Sequence, residues 1–245
     1  MNTYFWALGL FLLGYSLNMF YISVLYHRGL THRAVILGPK MMSFLYHTGV
    51  WVTGLDPKAW ATMHRHHHLY SDTEKDPHSP AFTGIWGVWK SQYQNYLFFM
   101  NQLTTKSNES INNMVADIPF NVSWINRNNL STIPYIVHGI IALSLGFITS
   151  PIVGVGYYLG IMSHPVQGWM VNALAHKFGP RNFETPDNSR NNTLVGLFVF
   201  GEGYQNNHHA HPENANFAHR IYEIDLGYVL CWLGDKIGIF SLKKA

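Results

Sequence analysis

The histidines constrain the fold of this chain more than any other feature, because they have to meet. Most of the 15 stand in three short groups: His27-Arg-Gly-Leu-Thr-His32, His64-Arg-His66-His67-His68, and His208-His209 followed by His211. A further one, His176, comes four residues after Asn172. At about 100° per residue, positions i, i+3 and i+4 share one face of a helix. His64, His67 and His68 have that spacing, and Gln205, His208 and His209 repeat it. By the same rule His66 falls about 200° from His64 and faces away. Neutral imidazole is the commonest side-chain metal ligand. Cys231 is the only cysteine, which excludes a disulfide framework and a thiolate metal site. Two triplets of this kind, with further histidines to complete the shell, point to a nitrogen-rich transition-metal centre. His47, His138 and His164 stand alone and are read as interior or interfacial residues.

Composition says where such a centre sits. The chain is 47% apolar and 15% aromatic but only 12% charged, about half the globular norm of ~25%. That deficit of charge implies contact with lipid. A net charge of +3 gives no footprint for nucleic acid. Residues 4–26 are uncharged and about as long as the ~20 residues of a membrane-spanning helix, and too long for the apolar core of a signal peptide. Residues 133–171 are also uncharged and predict two spans, 133–149 and 151–171, with the turn at Gly146–Pro151. The weaker apolar segment at 36–55 carries Lys40. It joins the first two histidine groups and is too short to cross twice, so a shared centre requires it to be re-entrant or interfacial. Arg28 and Arg33 follow the first span, placing the histidines in the cytoplasm and the amino terminus outside. The expected fold is therefore an all-α integral membrane protein, one domain over 1–245. A few transmembrane helices would carry a cytosolic helical cap holding the metal centre.

In order and spacing, these motifs resemble the membrane-bound fatty acyl desaturases, in particular their Δ9, stearoyl-CoA-desaturase-like branch. His27 to His32 matches the first histidine box. His64 to His68 matches the second, which is followed by Asp76-Pro77-His78. Asn172-Ala-Leu-Ala-His176 matches an interior motif, and Gly201-Glu-Gly-Tyr-Gln-Asn-Asn-His208-His209 matches the third box with one change. The resemblance runs from about residue 15 to 212.

What it implies is an O2-dependent di-iron enzyme that inserts a cis double bond, Δ9-type, into a saturated acyl chain. One iron would take His27, His32, His64, His68 and His208. The other would take His67, His176 and His209, with Asn172 reaching it through water. The family's remaining ligand is a histidine where this chain has Gln205. An amide oxygen is the weaker donor, so Gln205 would bind directly, through water or not at all, with His211 a substitute to consider. Carboxylates commonly orient metal-bound imidazoles, and Glu202, Asp72 and Asp76 are the nearest in sequence. Trp169 matches a tryptophan that lines the acyl tunnel. Leu55, Thr62 and Met63 stand where CoA-using members carry polar and charged contacts, which leaves acyl-lipid and acyl-carrier-protein substrates open beside acyl-CoA. An external donor of ferredoxin or cytochrome b5 type is implied, as is a bacterial inner membrane rather than the endoplasmic reticulum. The competing readings are hydroxylation or another oxidation at the same centre, and a non-catalytic metal-binding membrane protein.

Overall fold

The computed structural model describes residues 2–243; residues 1, 244 and 245 of the expected domain lie outside that range. Helix α1 (Thr3–Met19) is capped by Asn2, whose side chain accepts from Tyr4 N, and contains no charged residue. It runs without a break into a π-helical stretch, Phe20–Thr31, that ends at His32. Among the described residues, Thr3–Thr31 is the one helix long and apolar enough to cross a membrane. The helix continues past the expected span at 4–26, so that His27 lies within it and His32 caps its end. The first charge after that span is Arg28. Arg28, however, is wholly buried against carboxylates of the protein, so its charge does not force the helix to end.

The chain then forms α2 (Pro39–Thr53), stopped by Gly54 at φ 74°, and α3 (Pro57–Tyr70), which carries the second box. Asp56 caps α3, accepting from Lys58 N and Ala59 N (3.0 and 3.1 Å). Helix α4 (Pro80–Thr105) is kinked at Gly84. Short helices α5 (Glu109–Met114) and α6 (Trp124–Arg127) cross the polar connector. Next come α7 (Ile133–Ile148), α8 (Pro151–Ile161) and α9 (His164–Trp169), the last leading into a second π turn, Met170–Leu174. The final helices are α10 (Thr193–Phe198), α11 (Gln205–Ala210) and α12 (Leu226–Lys236). The fold is mainly helical, as expected. Among the described residues it departs from all-α in a two-residue antiparallel pairing of β1 (Val35–Ile36) with β2 (Ser241–Leu242) and in an isolated antiparallel bridge between Asn191 and Tyr204.

The expected span at 151–171 is not one helix, and the reason is Pro165. Proline has no N–H to bond the carbonyl four residues back, which here belongs to Ile161, the last residue of α8. That carbonyl is instead satisfied from outside the helix: the buried Asn18 of α1 donates Nδ2 to it at 2.9 Å. Ser163 Oγ bonds the Gly160 carbonyl in the same break (2.7 Å).

Helix α8 packs between α1 and α7. The contact with α1 depends on small residues. A Cβ on Gly156 would strike the Ala7 carbonyl, one on Gly160 the Phe11 carbonyl, and one on Gly14 the backbone of Ile161. The outer faces are left apolar: α7 buries only Pro134, and Phe147 is 94% exposed. Exposed apolar surface on this scale marks a face that contacts lipid or another protein. The opposite end holds the core, where Val24, Leu25 and Leu30 of the first helix meet Leu45, Ala59, Phe99 and Cys231.

Gly160→Ala should lower stability by about 1–3 kcal/mol through overpacking. Gly139→Ala on α7, where a Cβ meets nothing within 4 Å, should instead gain up to about 1 kcal/mol of helix propensity. Thermal unfolding of the two variants in detergent checks the opposite signs.

Candidate metal centre

The π-helical stretch solves a spacing problem in the first box. His27 and His32 are five residues apart, which in an α-helix would place them about 140° from each other. A π turn bonds residues five apart, and here His32 N donates to the His27 carbonyl at 3.1 Å. Both rings then reach the same cluster, 4.9 Å apart. On α3, His64, His67 and His68 point inward, whereas His66 packs against Tyr70 and Phe99 on the other side. On α11, Gln205, His208 and His209 share the inward face. The opposite face is locked by amides: Asn206 Oδ1 accepts from the backbone of Asn182 and Phe183, and Asn207 Nδ2 donates to Glu223 and to the Phe217 carbonyl.

Among the described residues two all-histidine groups of donor atoms result, each with every atom within 4.8 Å of the others: His27, His32, His64, His68 and His208, and His67, His176 and His209; a third group, His67, Asp76 and His78, shares His67 with the smaller of these. A carboxylate stands behind four of these rings. Each accepts from Nδ1: Glu202 from His27 at 2.5 Å, Asp76 from His67 at 2.9 Å, Asp72 from His176 at 3.0 Å, and Asp187 from His209 at 2.6 Å. Asp72 thus serves the histidine 104 residues away and not the box it follows. Asp187 escaped the sequence reading, since it precedes its partner by 22 residues and belongs to no motif.

Arg28 holds the first group together from behind. Its Nη1 donates to Glu202 (2.7 Å), its Nη2 to both oxygens of Asp225 (2.9 and 3.0 Å), and its Nε to the Ala215 carbonyl (2.8 Å). The guanidinium also lies 3.8 Å above the Phe217 ring. Gly201, at φ 89°, leaves the room that the Asp225 carboxylate occupies.

The groups suit a cation. With Nδ1 donating to a carboxylate, each backed ring turns a lone pair inward at Nε2. His27 Nε2 lies 3.0 Å from His208 Nε2, His68 Nε2 3.1 Å from His64 Nε2, and His67 Nε2 3.4 Å from His209 Nε2. Nitrogens that close need a proton or a cation between them. His32 Nε2 and His176 Nε2 are buried with no hydrogen-bond partner among the described residues. Burial, then the charge of neighbouring rings, pushes His32, His64, His68 and His208 well below the usual histidine value. Burial also takes His209 down to about 4 against the pull of Asp187. Neutral rings are the form that binds metal. His176 is the exception: burial disfavours its cation, but the hydrogen bond and charge of Asp72 outweigh that and raise it.

Gln205 is buried, with Oε1 3.1 Å from His209 Nε2. Asn172, in the second π turn, lines a cavity of about 490 Å³ that also touches His27, His64, Glu202 and Gln205. Trp169 stacks on Trp86 and on Trp89, a residue of the cavity wall (5.2 and 5.5 Å), and donates Nε1 to the Ile85 carbonyl. The cause is the kink at Gly84, after which α4 offers the two flat rings at i and i+3. His211 is held away from both groups, stacked on His219 at 5.3 Å. One residue passed over in the sequence stands beside the second group: buried His78, stacked 4.4 Å from His67, both nitrogens without partners.

Residues 3–223 match the model of the family described as Fatty acid desaturase, and the chain belongs to that family. It is an oxidoreductase, a fatty acyl desaturase, and a membrane protein. Among its relatives, the Delta-9 desaturase-like 5 protein of Arabidopsis thaliana is 31% identical, covering 92% of this chain and 72% of its own length. The Hex-5-enoyl-[acyl-carrier protein] acetylenase of Moorena producens is 31% identical over 95% of this chain and 75% of its own. Delta-9 acyl-lipid desaturase 1 of Arabidopsis thaliana is 30% identical over 95% and 73%.

Two outcomes are expected of this arrangement. His68→Ala and Asp187→Asn should each lower metal affinity, the latter by about 10- to 100-fold, while His66→Ala retains wild-type metal content; equilibrium dialysis against ferrous iron reads all three. Arg28→Met, which strands two buried carboxylates, should cost about 3–5 kcal/mol, measured by unfolding in detergent.

Proposed function

We propose that this chain inserts a cis double bond, Δ9-type, into a saturated acyl chain using two irons and O2. The observation that carries the reading is the cavity. It is walled by Ile22, Leu55, Met63, Leu97 and Val171, yet it reaches His27 and His64 of one group and Gln205 beside the other. Its volume is that of a small-molecule site, and an apolar wall ending at one metal-suited cluster and close beside the other fits a flexible hydrocarbon. His27, His32, His64, His68 and His208 would hold one iron. His67, His176 and His209 would hold the other, with Gln205 at hand and Asn172 reaching it through water. Iron there would supply the activation of O2 that removing hydrogen from an unactivated methylene demands.

The protein's own share is positioning and exclusion of water. Glu202, Asp72, Asp76 and Asp187 fix the tautomer and direction of four rings. The apolar walls keep the chain dry, and one methylene pair is held where both groups converge. Each turnover takes two hydrogens from the chain, with electrons and protons from an external donor of ferredoxin or cytochrome b5 type, and yields water from O2. The carrier is read as acyl-lipid or acyl-carrier protein in preference to acyl-CoA. Leu55 and Met63 are spent on the cavity wall, and buried Thr62 donates back to the Lys58 carbonyl.

In the membrane, α1 and the α7–α8 pair would span and α2 would return. Exposed Arg33 on the histidine side favours a cytoplasmic face by the positive-inside rule, and a bacterial inner membrane suits that arrangement.

Expression in a host unable to make unsaturated fatty acids tests the function. A new mid-chain cis monoene, with no oxygenated product, is the expected lipid profile. Hydroxylated chains, or no product from iron-loaded protein, would sink the reading.

A further inference from the structure

We infer that the outer face of α12, with the neighbouring α10, is seated in the bilayer and covered by lipid acyl chains, although neither helix is long enough to cross it. This rests on reading α1 as a membrane span.

Helix α12 is apolar on both sides. Leu226, Val229 and Leu233 recur at i, i+3 and i+7 and are exposed, with Trp232 beside them. The opposite side carries Gly227, Cys231 and Gly234, all buried. These inner residues are small because nothing larger fits. A Cβ on Gly227 would strike the Phe200 carbonyl and the Arg28 guanidinium, and one on Gly234 would strike the Phe240 ring. A helix that is apolar all round needs cover all round. Small residues turned toward the protein, with large apolar ones turned away, is how helices pack inside lipid. Helix α8 is arranged in the same way, with Gly156 and Gly160 against α1 and Val155 and Leu159 exposed.

The charges are sorted accordingly. Every acid of residues 221–239 has its partner within the protein: Glu223 accepts from Asn207 Nδ2 and His219 N, Asp225 pairs with Arg28, and Asp235 Oδ1 accepts from Leu242 N. The exposed charge on this stretch is Lys236, whose Nζ lies 5.9 Å above the Trp232 ring. A tryptophan and a lysine at the edge of an apolar face suit the headgroup layer, the ring at its boundary and the ammonium reaching into water.

The face is also joined to the span. Tyr15, near the middle of the helix Thr3–Thr31, donates its hydroxyl to the Phe198 carbonyl at 2.6 Å, and its ring meets that of Phe200 at 6.3 Å. The Phe200 carbonyl accepts in turn from Gly227 N at 3.1 Å, at the start of α12. Helix α10 is therefore held at a level within the apolar part of α1, and there it leaves Leu197 and Phe198 exposed.

Spin labels read the environment directly. Val229→Cys and Leu233→Cys probe the outer face of α12, Leu13→Cys the exposed side of α1, and Ser110→Cys the polar connector; native Cys231 is buried, so the unsubstituted protein sets the background. Full-length protein is reconstituted in vesicles of phosphatidylethanolamine and phosphatidylglycerol. Collisions of each label are measured with oxygen, which concentrates among acyl chains, and with a nickel chelate, which stays in water. The ratio of oxygen to nickel collisions at 229 and 233 should match that at 13 and exceed that at 110. A ratio like that at 110 would place the face in water. Shielding from both reagents would place it against another protein or a second copy of this chain. Either result overturns the inference and leaves the span standing, whereas a water-like ratio at 13 would overturn both. Trp232→Phe guards against a label that disturbs the helix. In vesicles with brominated acyl chains, wild-type tryptophan emission should be quenched more than that of Trp232→Phe, and equal quenching counts against the inference.

Discussion

A guanidinium with no access to solvent sits where the first helix, the third histidine box and α12 come together. Burying the Arg28 charge is costly unless it is paired and its donors are used. Here Glu202 and Asp225 pair it, and backbone carbonyls at Ser23 and Ala215 take further donors. The same Glu202 whose one oxygen meets Arg28 gives its other oxygen to His27. The ion cluster is thus a joint between scaffold and site. Burial resists ionisation of Glu202, yet the charges of His27 and Arg28 hold its carboxyl below the usual range. It stays an acceptor for the imidazole, and the His27 tautomer follows.

The sequence exposed those parts of the centre that obey an α-helical period. The second and third boxes read as single faces because 3 and 4 are the steps that return to one side of an α-helix. The first box did not, since a step of 5 converges only through the π turns that no residue pattern announced. The break at Pro165 was visible as a proline, but the Asn18 side chain that makes it tolerable comes from a helix 143 residues away. Glu202, Asp72 and Asp76 were found because they adjoin boxes in sequence. Asp187 adjoins nothing but His209, and only in space. The neighbours of Trp169, by contrast, are set by the kinked α4, whose Trp86 and Trp89 stack on it.

The two groups also differ in how they are made. Each draws on three separate chain segments, but the rings of the larger crowd one another, so most of them stay neutral through burial and mutual repulsion. The smaller is built of ring–carboxylate pairs in which the acid decides the direction of each imidazole. Burial opposes ionisation of Asp76 and Asp187, but His67 and His209 hold both well below the usual carboxylate range. These acids therefore remain charged wherever the fold persists. One site is shaped by packing and the other by electrostatics.

Thr3 to Thr31 is a single rod with no hinge, about 40 Å long at the α-helical rise, with apolar surface at one end and two cluster histidines at the other. Such a rod is a lever. Its apolar end is gripped along one side by α8 through Gly156 and Gly160, and its other end is pinned by Arg28. Apolar surface and cluster histidines are therefore carried on one continuous helix with no loop between them. The position of the histidine cluster is in this sense continuous with the packing of α1 against α8.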